Sequence, residues 1–350
     1  MASQTIVLIA FVAAVSALIL TPGARWVALR LGMVDRPKER SVHTKPIPYL
    51  GGLAIFLAFS LAALLSGFAE DKQVMGILVG GAAITFFGLI DDLVQLRASV
   101  KLLGQVLAAA VPVLFFDLRI TYVTNPLGGW IDLGAWGVPL TILWIVALVN
   151  VVNLVDGLDG LAAGISTIAS VTLLISAIQT GQAEVAIALT AALAGSSLGF
   201  LPYNFNPAKI FMGDAGSMFL GFALAAVSVE GTLKSPVAIA LAVPVLALGL
   251  PIFDTLFAIV RRYRKHQPIG QADRAHLHHR LLALGLSQRD AVLIMYLASG
   301  WLGIGALAVS STNVLLGTMI VLFAGFTIVF LCKKIGVFDD GKGPNMNARL

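Results

Sequence analysis

Three short stretches of this chain set oxygen donors at the ends of apolar runs. FFGLIDDL carries Asp91 and Asp92, NVVNLVDGLDGLAAG carries Asn153, Asp156 and Asp159 at intervals of three, and NFNPAKIFMGDAGS carries Asp214 just before another apolar run. If helical, the spacing of three puts Asn153, Asp156 and Asp159 on one broad face. Gly157 and Gly160 let backbone approach a ligand closely. Clustered carboxylates repel unless a cation sits among them, and with amide carbonyls nearby and no soft ligand the expected ion is Mg²⁺ or Mn²⁺. Each stretch also has a plain structural reading. Asp214 would cap a helix N-terminus, and Asp91 and Asp92 would be a solvated helix end. Those readings leave unexplained why three acid clusters lie beside helices that would bury them at a cost.

Basic residues supply the complementary chemistry. The segment RRYRKHQPIGQADRAHLHHRL carries His276, His278, His279 and Arg280 among other cations, and VDRPKERSVHTKPIPYLGG carries Arg40, Ser41, His43 and Lys45 between prolines. Tetrahedral zinc sites recruit paired, spaced ligands, often with Cys. The only cysteine here is Cys332, which also excludes a disulfide framework. Anion recognition suits the pattern better, because Arg and His are good donors to phosphate. Carboxylates for a hard cation beside cations for phosphate point to metal-assisted reaction of a phosphorylated or diphosphate substrate. No Walker A or GxGxxG fingerprint is present, so ATP or a dinucleotide on a soluble fold is not expected.

The elements that must position these groups are membrane helices. Of 350 residues, 58% are hydrophobic and 12% charged, and the mean hydropathy is +0.93, whereas a soluble domain carries about 25% charged residues. A bilayer core needs about 20 apolar residues per helix, which divides the chain into about eleven spans. They lie near 4–24, 49–68, 74–90, 98–116, 138–155, 161–179, 184–201, 215–231, 236–260, 290–309 and 313–332. No Lys or Arg precedes the first run, so it reads as a span rather than a secretion signal. The fold class expected is therefore all-α, one polytopic integral-membrane domain over residues 1–350, with the N-terminus outside and the C-terminus cytoplasmic. On that topology all of the 23 Lys and Arg except Lys72, Arg119 and Lys234 fall inside, as the positive-inside rule requires. All five histidines and the acid clusters fall on the same side. The outer segment 117–137, with Tyr122, Trp130 and Trp136, suits an interfacial belt and a short hairpin. Asp254, inside the ninth span, is assigned a helix-packing role. A transporter would place its acids near mid-bilayer on broken helices, whereas these sit at helix ends.

The motifs DRPKERSVHTKPIPYLGG, GLIDDL, NVVNLVDGLDGLAAG, YNFNPAKIFMGDAGS and HLHHRL resemble those of the polyprenyl-phosphate N-acetylhexosamine-1-phosphate transferases (the glycosyltransferase 4, MraY-like superfamily), in order from residue 35 to 281. The resemblance implies a bundle of ten or eleven helices in the bacterial inner membrane, with its site in a cytoplasmic cleft. A lipid phosphate would attack the β-phosphate of a UDP-sugar and release UMP, by direct attack or through a covalent intermediate. Carried over by motif, Asn153 and Asp214 would hold Mg²⁺, and Asp91 or Asp92 would orient or deprotonate the acceptor. Asp156 and Asp159 would hold the nucleoside end, with Asn204 and Lys45 close by and Phe211 stacked on uracil. His276, His278, His279 and Arg280 would meet anionic substrate. HLHHRL and PIPYLGG resemble the WecA/TagO branch rather than the HHHFE and TPTMGG patterns of the MraY branch. UDP-N-acetylglucosamine is thus the expected donor, with UDP-N-acetylmuramoyl-pentapeptide or another UDP-N-acetylhexosamine as the alternative. The expected partners are the UDP-sugar, the polyprenyl phosphate and membrane lipids, with no nucleic acid, and a homodimer is an allowed assembly.

Overall fold

The computed structural model describes residues 1–36, 46–124, 130–233, 242–264 and 276–310, with isolated positions between 316 and 327. Twelve α-helices run through them. These are α1 (Ser3–Leu31), α2 (Gly51–Leu65), α3 (Lys72–Val94), α4 (Ala98–Phe115), α5 (Gly137–Val155), α6 (Leu161–Gln179), α7 (Glu184–Asn204), α8 (Gly213–Leu233), α9 (Ala242–Ala247), α10 (Gly249–Arg264), α11 (Leu277–Ala283) and α12 (Gln288–Ser310). Seven helices among the described residues are long and apolar enough to cross a membrane, and the protein is an all-α, multi-pass membrane protein. Two small antiparallel ribbons complete the described fold: β1 (Val34–Asp35) with β2 (Ile47–Pro48), and β3 (Tyr122–Thr124) with β4 (Trp130–Asp132). The second is the hairpin expected in the 117–137 segment, with Trp130 and Trp136 exposed.

α8 is the axis of the bundle. Ala215, Met218, Phe219, Leu220, Phe222, Ala223, Leu224 and Ala225 have no exposed surface. A helix apolar all round is one that neighbours surround, and α2, α3, α5, α6 and α7 all pack on it. Lipid supplies no hydrophobic drive between helices, so close approach of backbones must supply dispersion instead. The α1–α7 contact shows this. Gly195 and Gly199 form a GxxxG pair, and a Cβ added there would lie 2.1 Å from the Ala10 carbonyl oxygen and 2.2 Å from that of Ala14. Gly195→Ala and Gly199→Ala are each expected to cost about 1–3 kcal/mol through overpacking. Thermal unfolding of the detergent-purified variants measures this; unchanged midpoints would mean that the two helices do not meet there.

The part of the predicted 236–260 span that lies in the described residues, from Ala242 on, is two pieces. α9 ends at Ala247 and α10 starts at Gly249. Pro251 lacks the N–H that would bond to the Ala247 carbonyl four residues back, which interrupts the helix at that point. α10 continues as an amphipathic helix, with Pro251, Asp254 and Ala258 buried and three arginines in its last turn.

Candidate active site

The ends of α3, α5 and α7 and the starts of α4, α8 and α12 surround a cavity of about 790 Å³. The residues lining it sit on the side where the sequence gathers the acids and bases.

The α8 N-terminus is its floor. Gly213 has φ +69°, a backbone conformation suited to glycine, and a Cβ there would also strike Asp92 Oδ2 at 2.4 Å. Asp92 accepts the N–H of Asp214 (2.7 Å) and of Ala215 (3.2 Å). Asp92, from α3, is therefore the cap of α8, and the side chain of Asp214 is released from that role. Asp214 Oδ1 accepts from Asn153 Nδ2 (2.7 Å), which also donates to Ser217 Oγ (2.8 Å). Its Oδ2 meets Lys101 Nζ at 2.8 Å, and Lys101 bridges on to Asp91 Oδ2 at 2.9 Å. Asp91, 4% exposed, also accepts the Leu96 N–H at 2.8 Å.

The loop between α5 and α6 forms one wall. Asp156 is partly exposed there. The surrounding cavity walls still strip much of the water from its carboxyl, and this desolvation, followed by the charges of Asp214, Asp92 and Asp159, pushes it up to about 8. Asp159 Oδ2 accepts from Asn206 Nδ2 and from the Ala208 N–H, both at 3.0 Å, and so braces the NFNPAK segment. The α12 start ties the same segments together, because Asn206 also donates to Gln288 (2.8 Å) and Tyr296 donates to the Gly160 carbonyl. The first loop joins through Phe211, whose N–H bonds to the Pro48 carbonyl (2.9 Å) and whose carbonyl takes the Gly51 N–H (3.0 Å). That places Tyr49 and Phe211 in the cavity lining.

The residues proposed from sequence separate into groups. Asp91, Asp92, Asp156, Asp159, Asn204, Phe211, Asp214 and His279 line the cavity, and Asn153 touches it through Asp214. Phe211 is only partly buried, so its ring is not ordinary core. Asn204 is 2% exposed, and its amide serves backbone, accepting from Gly160 N (3.1 Å) and donating to the Ile210 carbonyl (3.0 Å). His278 does not line the cavity. Burial and the neighbouring rings of His279 and His276 push its pKa down to about 4. The ring so placed favours its neutral form. His276 is likewise buried, and Arg280 lies on α11 outside the cavity lining. Lys45 lies outside the described residues. Lys101, Arg36, Tyr49 and Gln288 also line the cavity, and their motifs did not point to them. For Lys101 the available signal was a lone cation in the first turns of an apolar helix, a placement that marks function in membrane proteins.

Hard oxygen donors crowd the α8 N-terminus, and the Lys101 ammonium already acts as a stand-in cation between two of them. The Asn153 amide nitrogen is committed to Asp214 and Ser217, while its oxygen accepts no hydrogen bond among the described residues. No three His, Cys, Asp or Glu among those residues converge as a metal-binding group. Mg²⁺ is held through one or two carboxylates and completes its shell with water and substrate phosphate, so this donor set suits it.

A polytopic membrane bundle with acids and cations converging on one cavity at its helix ends belongs to the class of enzymes that process anionic substrates at the membrane surface. A profile of glycosyl transferase family 4 matches residues 74–232. The chain is 40% identical, over 97% of its length and 94% of the relative's, to a probable undecaprenyl-phosphate N-acetylglucosaminyl 1-phosphate transferase of Bacillus subtilis. It is 38% identical to the decaprenyl-phosphate N-acetylglucosaminephosphotransferase of Mycobacterium tuberculosis, over 98% of this chain and 93% of that one. It is 30% identical, over 89% and 86%, to an undecaprenyl-phosphate α-N-acetylglucosaminyl 1-phosphate transferase of Salmonella typhi. The protein belongs to glycosyl transferase family 4.

Proposed function

We propose that the protein transfers N-acetylglucosamine 1-phosphate from UDP-N-acetylglucosamine to a polyprenyl phosphate, releasing UMP, as the first lipid-linked step of a cell-envelope polysaccharide. The site would face the cytoplasm across the bacterial inner membrane. The observation that carries this reading is the cavity itself: carboxylates and cations meet there at the ends of the helices, in a chain whose relatives are named for this transfer.

A phosphomonoester carries about 1.5–2 negative charges, so it and a diphosphate meet only where positive charge is provided. Lys101, Arg36 and His279 line the cavity beside the carboxylates and would bind and orient the two anions. Asp214 and the side-chain carbonyl of Asn153 would hold Mg²⁺, which when bound would supply the positive charge that stabilises UMP as a leaving group. Phe211 and Tyr49 give the flat uracil ring an aromatic edge of the cavity to rest on. Asp159 and Asn204 keep that wall in place through their hydrogen bonds to Asn206, Ala208, Gly160 and Ile210. Asp91, which contacts Lys101, sets where the ammonium stands.

Thin-layer analysis of lipid products from purified protein, polyprenyl phosphate and labelled UDP-N-acetylglucosamine tests this. Lipid-linked N-acetylglucosamine diphosphate with stoichiometric UMP is expected. Product only with UDP-N-acetylmuramoyl-pentapeptide would change the donor, and UDP as by-product would remove the reaction class.

A further inference from the structure

Asp254 was expected to do no more than pack helices, yet it lies at the root of α11. It is 6% exposed, and a carboxylate so buried costs free energy unless its oxygens are satisfied. Both are. Oδ1 accepts the Leu277 N–H at 2.9 Å, and Oδ2 meets His276 Nδ1 at 3.0 Å. The two bonds tie the first turn of α11 to α10.

Beyond this anchor, α11 carries His279 to the cavity. The rings of His276 and His278 are parallel, 5.8 Å apart, and those of His278 and His279 lie 4.3 Å apart. His278 is packed onto Gly157, where an added Cβ would stand 2.5 Å from its Nε2. It thus abuts the loop that carries Asp156 and Asp159. His279, next in sequence, lines the cavity. The α11 helix has only seven residues, too few to be stable without tertiary support.

We propose that Asp254 is a positioning residue for the transfer: through the Leu277 N–H and His276 it fixes α11, so that His279 stands in the cavity and His278 seats the Asp156–Asp159 loop. The proposal rests on the proposed transfer reaction only for the anion that His279 meets. The anchoring itself is a property of the fold.

The test uses the full-length protein in nanodiscs, with Asp254→Leu, Asp254→Asn, His276→Ala and the Asp254→Leu/His276→Ala double variant. Amide hydrogen exchange and steady-state kinetics are read together. Asp254→Leu should raise exchange across residues 277–283 while α3, α5 and α8 keep wild-type protection. It should also lower kcat/KM for UDP-N-acetylglucosamine by about tenfold or more, since small misplacements of a positioned group are costly. Asp254→Asn keeps an oxygen for the Leu277 N–H and should stay within about threefold of wild type, the worth of part of one hydrogen bond. The double variant should be no worse than Asp254→Leu, because both changes cut one link. Unchanged exchange across 277–283 in Asp254→Leu would overturn the proposal, as would loss of protection throughout α3, α5 and α8 together with that of α11. Should Asp254→Leu not fold, His276→Ala decides: raised exchange confined to 277–283 supports the link, and unchanged exchange overturns it. If the wild-type protein itself makes no lipid-linked product, the transfer reaction fails as a reading while the exchange result still decides the anchor.

Discussion

Asp214→Ala and Asp214→Asn are both expected to abolish formation of lipid-linked product while leaving the protein folded and membrane-inserted. The α8 N-terminus does not depend on this side chain. Its cap is Asp92, which bonds to the backbone N–H groups of Asp214 and Ala215, and those groups survive either substitution. The carboxylate instead joins Asn153 and Lys101, so its loss removes the charge around which the hard donors assemble. The asparagine variant separates the two readings of the residue. As a helix cap Asn serves about as well as Asp, and even Ala costs only about 0.5–2 kcal/mol. As the anionic centre of the site Asn keeps the shape without the charge, and turnover should fall by about three orders of magnitude, the scale seen when a key electrostatic group is removed. Product formation over a Mg²⁺ titration, beside thermal unfolding of the same preparations, measures both. Near-normal turnover in Asp214→Asn would return the residue to a structural role.

Lys101→Met should have the next largest effect, and its signature is a dependence on divalent cation. Met keeps the length and the apolar stem, so the α4 contacts survive, but Asp91 and Asp214 lose the ammonium that stands 2.9 and 2.8 Å from them. Breaking a fully buried ion pair by removing one partner costs about 3–5 kcal/mol. The Lys101 and Asp214 side chains are 21% and 32% exposed, so water screens part of this and a loss of about 1–3 kcal/mol in chelator is expected. Mg²⁺ should then restore more stability to the variant than it adds to wild type, because the carboxylates have no internal cation left. Turnover should remain low, by about a hundredfold, since the ammonium is also lost to the substrate phosphates. Equal stability of variant and wild type in chelator, with equal response to Mg²⁺, would show that Lys101 does not hold these acids together.

Apolar run length and the one-sided placement of cations are properties of local sequence, because the bilayer acts on each segment in turn. They were enough to define an all-α, multi-pass protein, to expect a short hairpin within 117–137, and to bring Asp91, Asp92, Asp156, Asp159, Asp214 and His279 to one side. The division of labour among those groups was not local. Asp92 caps a helix 122 residues further on, Lys101 answers Asp214 across 113 residues, and the Asn204 amide oxygen takes the Gly160 N–H 44 residues back. The break at Leu248 was visible only as a proline within an apolar run, a feature that membrane helices also tolerate unbroken. His278 looked like a phosphate ligand by type. The structure packs it against Gly157, and burial there favours its neutral form, because the protonation of an imidazole depends on its surroundings more than on its motif. Residue type and spacing named the chemistry available to this protein; which oxygen or nitrogen faces the cavity, and which is consumed in holding the helices, was decided by long-range packing around α8.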